Sequence, residues 1–167
     1  MTQRTRILIA AGVLIALVAL VLGIEALQRA SGEPAPEGEP TVAAGAIPIR
    51  LDGKLVGSFT PADLERLEKV SFVEPEEGKT QEGWLLRDVI RLYVDPQTLG
   101  AGTLVTVSSG SREKSAQLTW DEVDRTQNYV MFDLSNRGTL KLVSVLPKLD
   151  TRDEWVQDVD GIEVDHP

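Results

Sequence analysis

EWVQDVDGIEV, residues 154–164, decides how this chain is read. Trp155, Val156, Val159, Ile162 and Val164 are apolar among carboxylates, and Gly161 interrupts the run. The pattern predicts two short strands, or one strand broken at Gly161, with Trp155 driven into a core. A strand at the end of a chain needs partners from earlier segments, and these are legible upstream. IPIRL (47–51) alternates, and LVGSF (55–59) follows the turn Asp52-Gly53, which reads as a hairpin. TLVTVSS (103–109) and KSAQLT (114–119) flank Gly110-Ser111-Arg112 as a second hairpin. NYVMFDL (128–134) and TLKLVSVLP (139–147) flank Ser135-Asn136-Arg137-Gly138 as a third, and SFVEP (71–75) is a further short strand.

Helices are few. Thr60 opens one, with Pro61 at the first helical position and Asp63 completing a capping box; Leu64 and Leu67 face the core. WLLRDVIRLYV (84–94) places Leu85, Leu86, Val89, Ile90 and Tyr93 on one stripe and predicts an amphipathic helix after a polar turn, EEGKTQEG. TWDE at 119–122 is a second capping box, opening a short helix to Asp124. Strands dominate, which predicts an α+β class with a mixed sheet or small sandwich over residues 46–167.

The N-terminal part has another character. Ile7 to Ile24 is an unbroken run of eighteen apolar or small residues, long enough to cross a hydrocarbon core about 30 Å thick as a helix. A cleaved signal peptide would share the basic start and apolar core, but its core runs to about 7–15 residues and ends at a small-x-small site. EALQRAS offers no such site. The expected layout is a cytoplasmic stretch 1–6, an uncleaved anchor 7–27, a Pro/Gly/Glu linker 28–45 and an extracytoplasmic domain 46–167. Arg4 and Arg6 before the run place the N-terminus in the cytoplasm and the domain in the periplasm of a bacterial inner membrane. Gly12, Ala16, Ala19 and Gly23 share one helical face and are the candidate packing surface for other membrane helices.

The 167 residues include no cysteine and one histidine, His166, and carry a net charge of −9. The acidic balance argues against nucleic acid as a partner and against an anionic lipid surface. Ser108, Ser109 and Ser111 have no interior histidine to serve them as a base. DVDG (158–161) and DLSNRG (133–138) are faint calcium-loop fragments, better read as a solvated edge and a turn. Glu74, Glu76 and Glu77 read as a surface loop and His166 as a frayed end. No metal, cofactor or catalytic set is expected. Of Trp84, Trp120 and Trp155, Trp120 lies between polar neighbours and is the candidate interface residue.

The order GWLLRDVIRL (83–92), VTVSSGSREKSAQLTWDEV (105–123), NYVMFDLSNRGTLKL (128–142), VLP (145–147) and EWVQDVDGIEV (154–164) resembles the molybdopterin-binding domain of the sulfite oxidase family. Trp155, Val156, Val159, Ile162 and Val164 match that domain's ending, and the likeness covers about residues 47–164. It implies the scaffold. The family holds molybdenum through a cysteine thiolate, which this chain lacks, and a soft ligand is not replaced by Ser or Asp. Ser109-Gly110-Ser111 stands at a turn often reading Asp-Gly-Tyr, and a Gly-x-Pro-x-Arg segment is missing between Gly138 and Pro147. The expectation is therefore a non-catalytic accessory subunit of a membrane complex, of a respiratory or photosynthetic electron-transfer kind. The alternatives are a free tethered module binding a small ligand or a basic protein such as a cytochrome, and a pterin-dependent oxidoreductase without a thiolate ligand.

Overall fold

The computed structural model describes residues 41–167. The expected cytoplasmic stretch, the anchor with Gly12, Ala16, Ala19 and Gly23, and most of the linker lie outside these residues. Among the described residues no helix is long and apolar enough to cross a membrane.

Ten strands and two short α-helices build an α+β domain. Strands β1 (Ile47–Leu51), β2 (Lys54–Phe59), β5 (Leu104–Ser109), β6 (Lys114–Thr119) and β10 (Gly161–Asp165) form the first sheet, in the order β2-β1-β10-β5-β6. It is mixed. β1 and β10 run parallel, with Ile49 beside Ile162, and the remaining pairs are antiparallel. Strands β3 (Lys69–Val73), β4 (Thr80–Leu85), β7 (Met131–Leu134), β8 (Leu140–Val143) and β9 (Val156–Gln157) form a second, antiparallel sheet in the order β3-β4-β7-β8-β9. The helices are α1 (Leu86–Ile90) and α2 (Trp120–Asp124); a 3-10 helix of two turns occupies Pro61–Arg66, and single 3-10 turns occupy Pro96–Thr98, Gly110–Arg112 and Thr126–Asn128.

Alternation assigns the faces. In the first sheet Ile47, Ile49, Val105, Val107, Ile162 and Val164 are buried on one side, and Phe132, Leu140, Leu142 and Val156 of the second sheet join them in one core. The second sheet is covered on its reverse face as well. Leu85, Met131 and Val143 stand in register across β4, β7 and β8, and with Phe72 and Trp155 they form a smaller cluster. Trp155 is 3% exposed and its indole N–H donates to the Leu149 carbonyl at 3.1 Å, so its polar edge is satisfied inside the domain.

The two strands expected within 154–164 are present as β9 and β10, and both capping boxes form. Asp63 accepts from the Thr60 backbone N–H at 2.7 Å, and Glu122 accepts from that of Thr119 at 2.8 Å. Elsewhere boundaries move. The helix expected over 84–94 is only Leu86–Ile90, because Thr80–Leu85 is drawn into the second sheet between β3 and β7. Four consecutive buried residues, Gly83 to Leu86, mark the switch from strand to helix and imitate a longer helical stripe. Strand β7 begins at Met131 and not at 128, since Tyr129 takes a left-handed conformation after a 3-10 turn. The stretch after Val143 leaves the sheet: the Val145 N–H bonds to the Asn128 carbonyl.

Candidate cation-lined cleft

The reverse face of the second sheet changes character along its strands. Two residues beyond the apolar row Leu85–Met131–Val143, the same face presents Gly83, Asp133, Lys141 and Gln157 in cross-strand register. Gln81 follows on β4. Period-two geometry alone fixes this: residues two apart on one strand share a face. Here the sheet opens into a cleft of about 560 Å³, walled by Lys79 and Thr80, the turn Ser135-Asn136-Arg137, Arg152 and Trp155.

Lys141 organises the floor. Its Nζ lies 3.1 Å from Asp133 Oδ2, donates to Gln81 Oε1 at 2.8 Å, and sits 4.8 Å from the Trp155 ring centroid. The lysine and aspartate side chains are 21% and 14% exposed. Burial pushes the Asp133 carboxyl above its usual range, and the Lys141 ammonium opposes that shift. Arg152 lies 6.0 Å from the same indole and donates to Glu77 Oε1 at 3.2 Å. Lys79 pairs with Glu77 too. The cleft lining thus holds Lys79, Arg137, Lys141 and Arg152 against one carboxylate, Asp133, in a chain of net charge −9.

The residues singled out in the sequence take other roles. Trp120, expected at an interface, is 6% exposed and belongs to the core. Its backbone N–H donates to the Thr103 carbonyl, and the Arg91 guanidinium covers its ring at 5.7 Å. A capping box at Thr119 turns the first residue of α2 inward, which the polar neighbours did not reveal.

Glu74 is 1% exposed and no surface residue: its carboxylate accepts from the backbone N–H groups of Glu76, Glu77 and Lys79 at 2.8, 2.9 and 3.3 Å. Burial raises the Glu74 pKa, but these three donors outweigh it and hold the group below its ordinary value.

Asp158 and Asp160, expected on a solvated edge, are clamps. Asp158 accepts from the Thr139 hydroxyl at 2.7 Å and pairs with Arg112 at 2.6 Å, which lowers its pKa. Asp160 accepts from the Gly110 N–H at 2.7 Å.

His166, expected to fray, is tied to Asp52 and to the Thr98 carbonyl. Among the described residues no group of three or more acidic or histidine side chains converges as a metal site.

Comparison with known proteins adds no assignment: no family model matches this chain, and no curated protein matches it significantly. The cleft was missed in the sequence because its charged residues come from four separated segments. The available signal was the paired alternation Asp133/Lys141 across the β7–β8 hairpin, which puts both on one face.

Proposed function

We propose that this chain is a non-catalytic accessory subunit, anchored by residues 7–27, whose domain stands on the periplasmic side and completes a larger membrane complex. The observation that supports it is the way ionisable groups join segments far apart in sequence. Asp52 with His166, Arg112 with Asp158, Glu122 with Lys148, and Glu77 with Arg152 all tie separate elements together. Such groups brace a body that presents surfaces, and four cations line one cleft of it. The eighteen-residue apolar run and the basic residues before it support the tether and its direction.

The resemblance to the sulfite oxidase molybdopterin-binding domain, in a chain without the thiolate ligand, supports a borrowed scaffold and a setting in electron transfer. A second reading, a free tethered module for a small ligand, is favoured by the cleft itself.

Purification of the full chain from its membrane in mild detergent separates these readings. Stoichiometric co-purifying subunits are the expected result. A monodisperse single protein favours the free module. Molybdenum in stoichiometric amount by elemental analysis would replace both with a pterin-dependent oxidoreductase.

A further inference from the structure

Gln81 is 4% exposed, yet only one end of its amide is used. Its Oε1 accepts from Lys141, its amide nitrogen makes no hydrogen bond among the described residues, and the residue lines the cleft. Of the residues that line the cleft, four are cationic and one is a carboxylate. Lys141 is matched by Asp133, but Lys79 and Arg152 share the single carboxylate of Glu77. Arg137, on the β7–β8 turn, lines the cleft and forms no ion pair among the described residues; its backbone N–H bonds to Ser135 Oγ, and its charge is felt by Asp158. Lys141 and Arg152 rest against Trp155, so part of their side-chain freedom is already lost. Cationic and neutral donors gathered on one cleft, two of the cations resting on an aromatic ring, are what binding of an oxyanion requires. The volume, about 560 Å³, is that of a small-molecule site, which ranges over roughly 300–1,000 Å³.

We propose that this cleft binds a small molecule through a phosphate or carboxylate group, with Arg137 as its main charged partner, the Gln81 amide as a neutral donor, and Lys79 and Arg152 flanking it. Asp133 stays with Lys141 and keeps the floor from closing on the ligand. The proposal rests on the binding role of the domain and not on the anchor.

The test is calorimetric titration of the full chain in mild detergent with pyrophosphate and, separately, with citrate. Saturable binding of one of them at a single site is expected, and which one binds tells phosphate from carboxylate chemistry. Arg137→Ala should weaken it by about tenfold or more, the loss of a charge-assisted contact. Gln81→Glu, which keeps an acceptor for Lys141 and sets a carboxylate against the ligand, should abolish binding while the circular dichroism spectrum is retained. Arg125→Ala, a control at the exposed Arg125–Asp121 pair outside the cleft, should leave affinity unchanged. Absence of saturable binding for both anions would overturn the site, as would equal losses in Arg137→Ala and Arg125→Ala. A protein that co-purifies with other subunits but takes neither anion loses this site and keeps the accessory role; one that binds an anion without subunits does the reverse.

Discussion

At the scale of single residues, His166 shows how geometry favours one charge state. Its Nδ1 lies 2.8 Å from Asp52 Oδ2 and its Nε2 lies 3.0 Å from the Thr98 carbonyl oxygen. Both partners accept, so the imidazolium, with a proton on each ring nitrogen, is the form that satisfies both contacts. Hydrogen bonding to Asp52 raises the His166 pKa, and the same bond lowers that of Asp52; Lys54 lowers the latter slightly further. The raised histidine contributes stability that is complete below its unfolded value of about 6.5 and is lost as pH rises through the folded value. The lowered aspartate contributes above its unfolded value of about 3.9 and loses it as pH falls through the folded one. The clamp is therefore closed between those limits. Proton NMR titration of the His166 ring should give a midpoint above that of an unperturbed histidine, and Asp52→Asn should bring it down; an unchanged midpoint in the variant refutes the pairing. Glu74 behaves as a lowered carboxylate. Glu74→Gln should lower the melting temperature and speed amide exchange at Glu76, Glu77 and Lys79. Wild-type protein should lose the same protection on acidification, as pH falls through the lowered folded pKa. Equal exchange rates in variant and wild type at neutral pH would show that the carboxylate does not hold this turn.

At the scale of elements, β4 is the segment on which the second sheet depends. A Cβ placed on Gly83 would lie 1.8 Å from the Phe132 carbonyl oxygen, which is backbone and cannot rotate away. Gly83→Ala should cost at least the upper end of the usual 1–3 kcal/mol, about 3 kcal/mol, by forcing β4 and β7 apart. Gly100→Ala, where nothing lies within 4 Å, is the matching control and should be neutral in chemical denaturation. Equal stabilities would remove the close approach. Helix α2 shows the other side of local reading. Its capping box was legible because Thr119 and Glu122 act on their own neighbours. The burial of Trp120 was not, because it depends on Arg91 and Thr103 from other elements. Strand β4 was hidden for the same reason: TQEGWL has little β pattern of its own and is a strand because β3 and β7 pair with it on both sides. The hairpin β5–β6 and the strands β9 and β10 carried their signals locally and were legible. The cleft was the least legible feature, since Lys79, Arg137, Lys141 and Arg152 meet only once β4, the β7–β8 hairpin and the segment before β9 are placed side by side.

At the scale of the whole molecule, the described residues, 41–167, belong to one unit by their contacts and contain the two hydrophobic clusters and the cleft. Folding and attachment should therefore be separable. The fragment 41–167 should unfold in one cooperative transition, and Trp155→Ala should destabilise it by about 3–5 kcal/mol, since the ring is buried in the smaller cluster and its N–H is bonded to Leu149. Trp120→Ala should act in the same range, because the ring is core and not contact surface. Neither variant can then report on partners. Attachment is expected to reside in the apolar run, where the spacing of Gly12, Ala16, Ala19 and Gly23 would put them on one face of a helix and small residues allow helices in lipid to approach closely. Replacing Gly12 and Gly23 together by leucine keeps the run apolar, so membrane insertion should persist, while the close approach is blocked. Subunits that co-purify with the native chain should be lost from the double variant, and the melting transition of its domain should match that of fragment 41–167. Full retention of those subunits by the double variant would remove the helix face as the point of attachment and leave the domain surface to hold the complex.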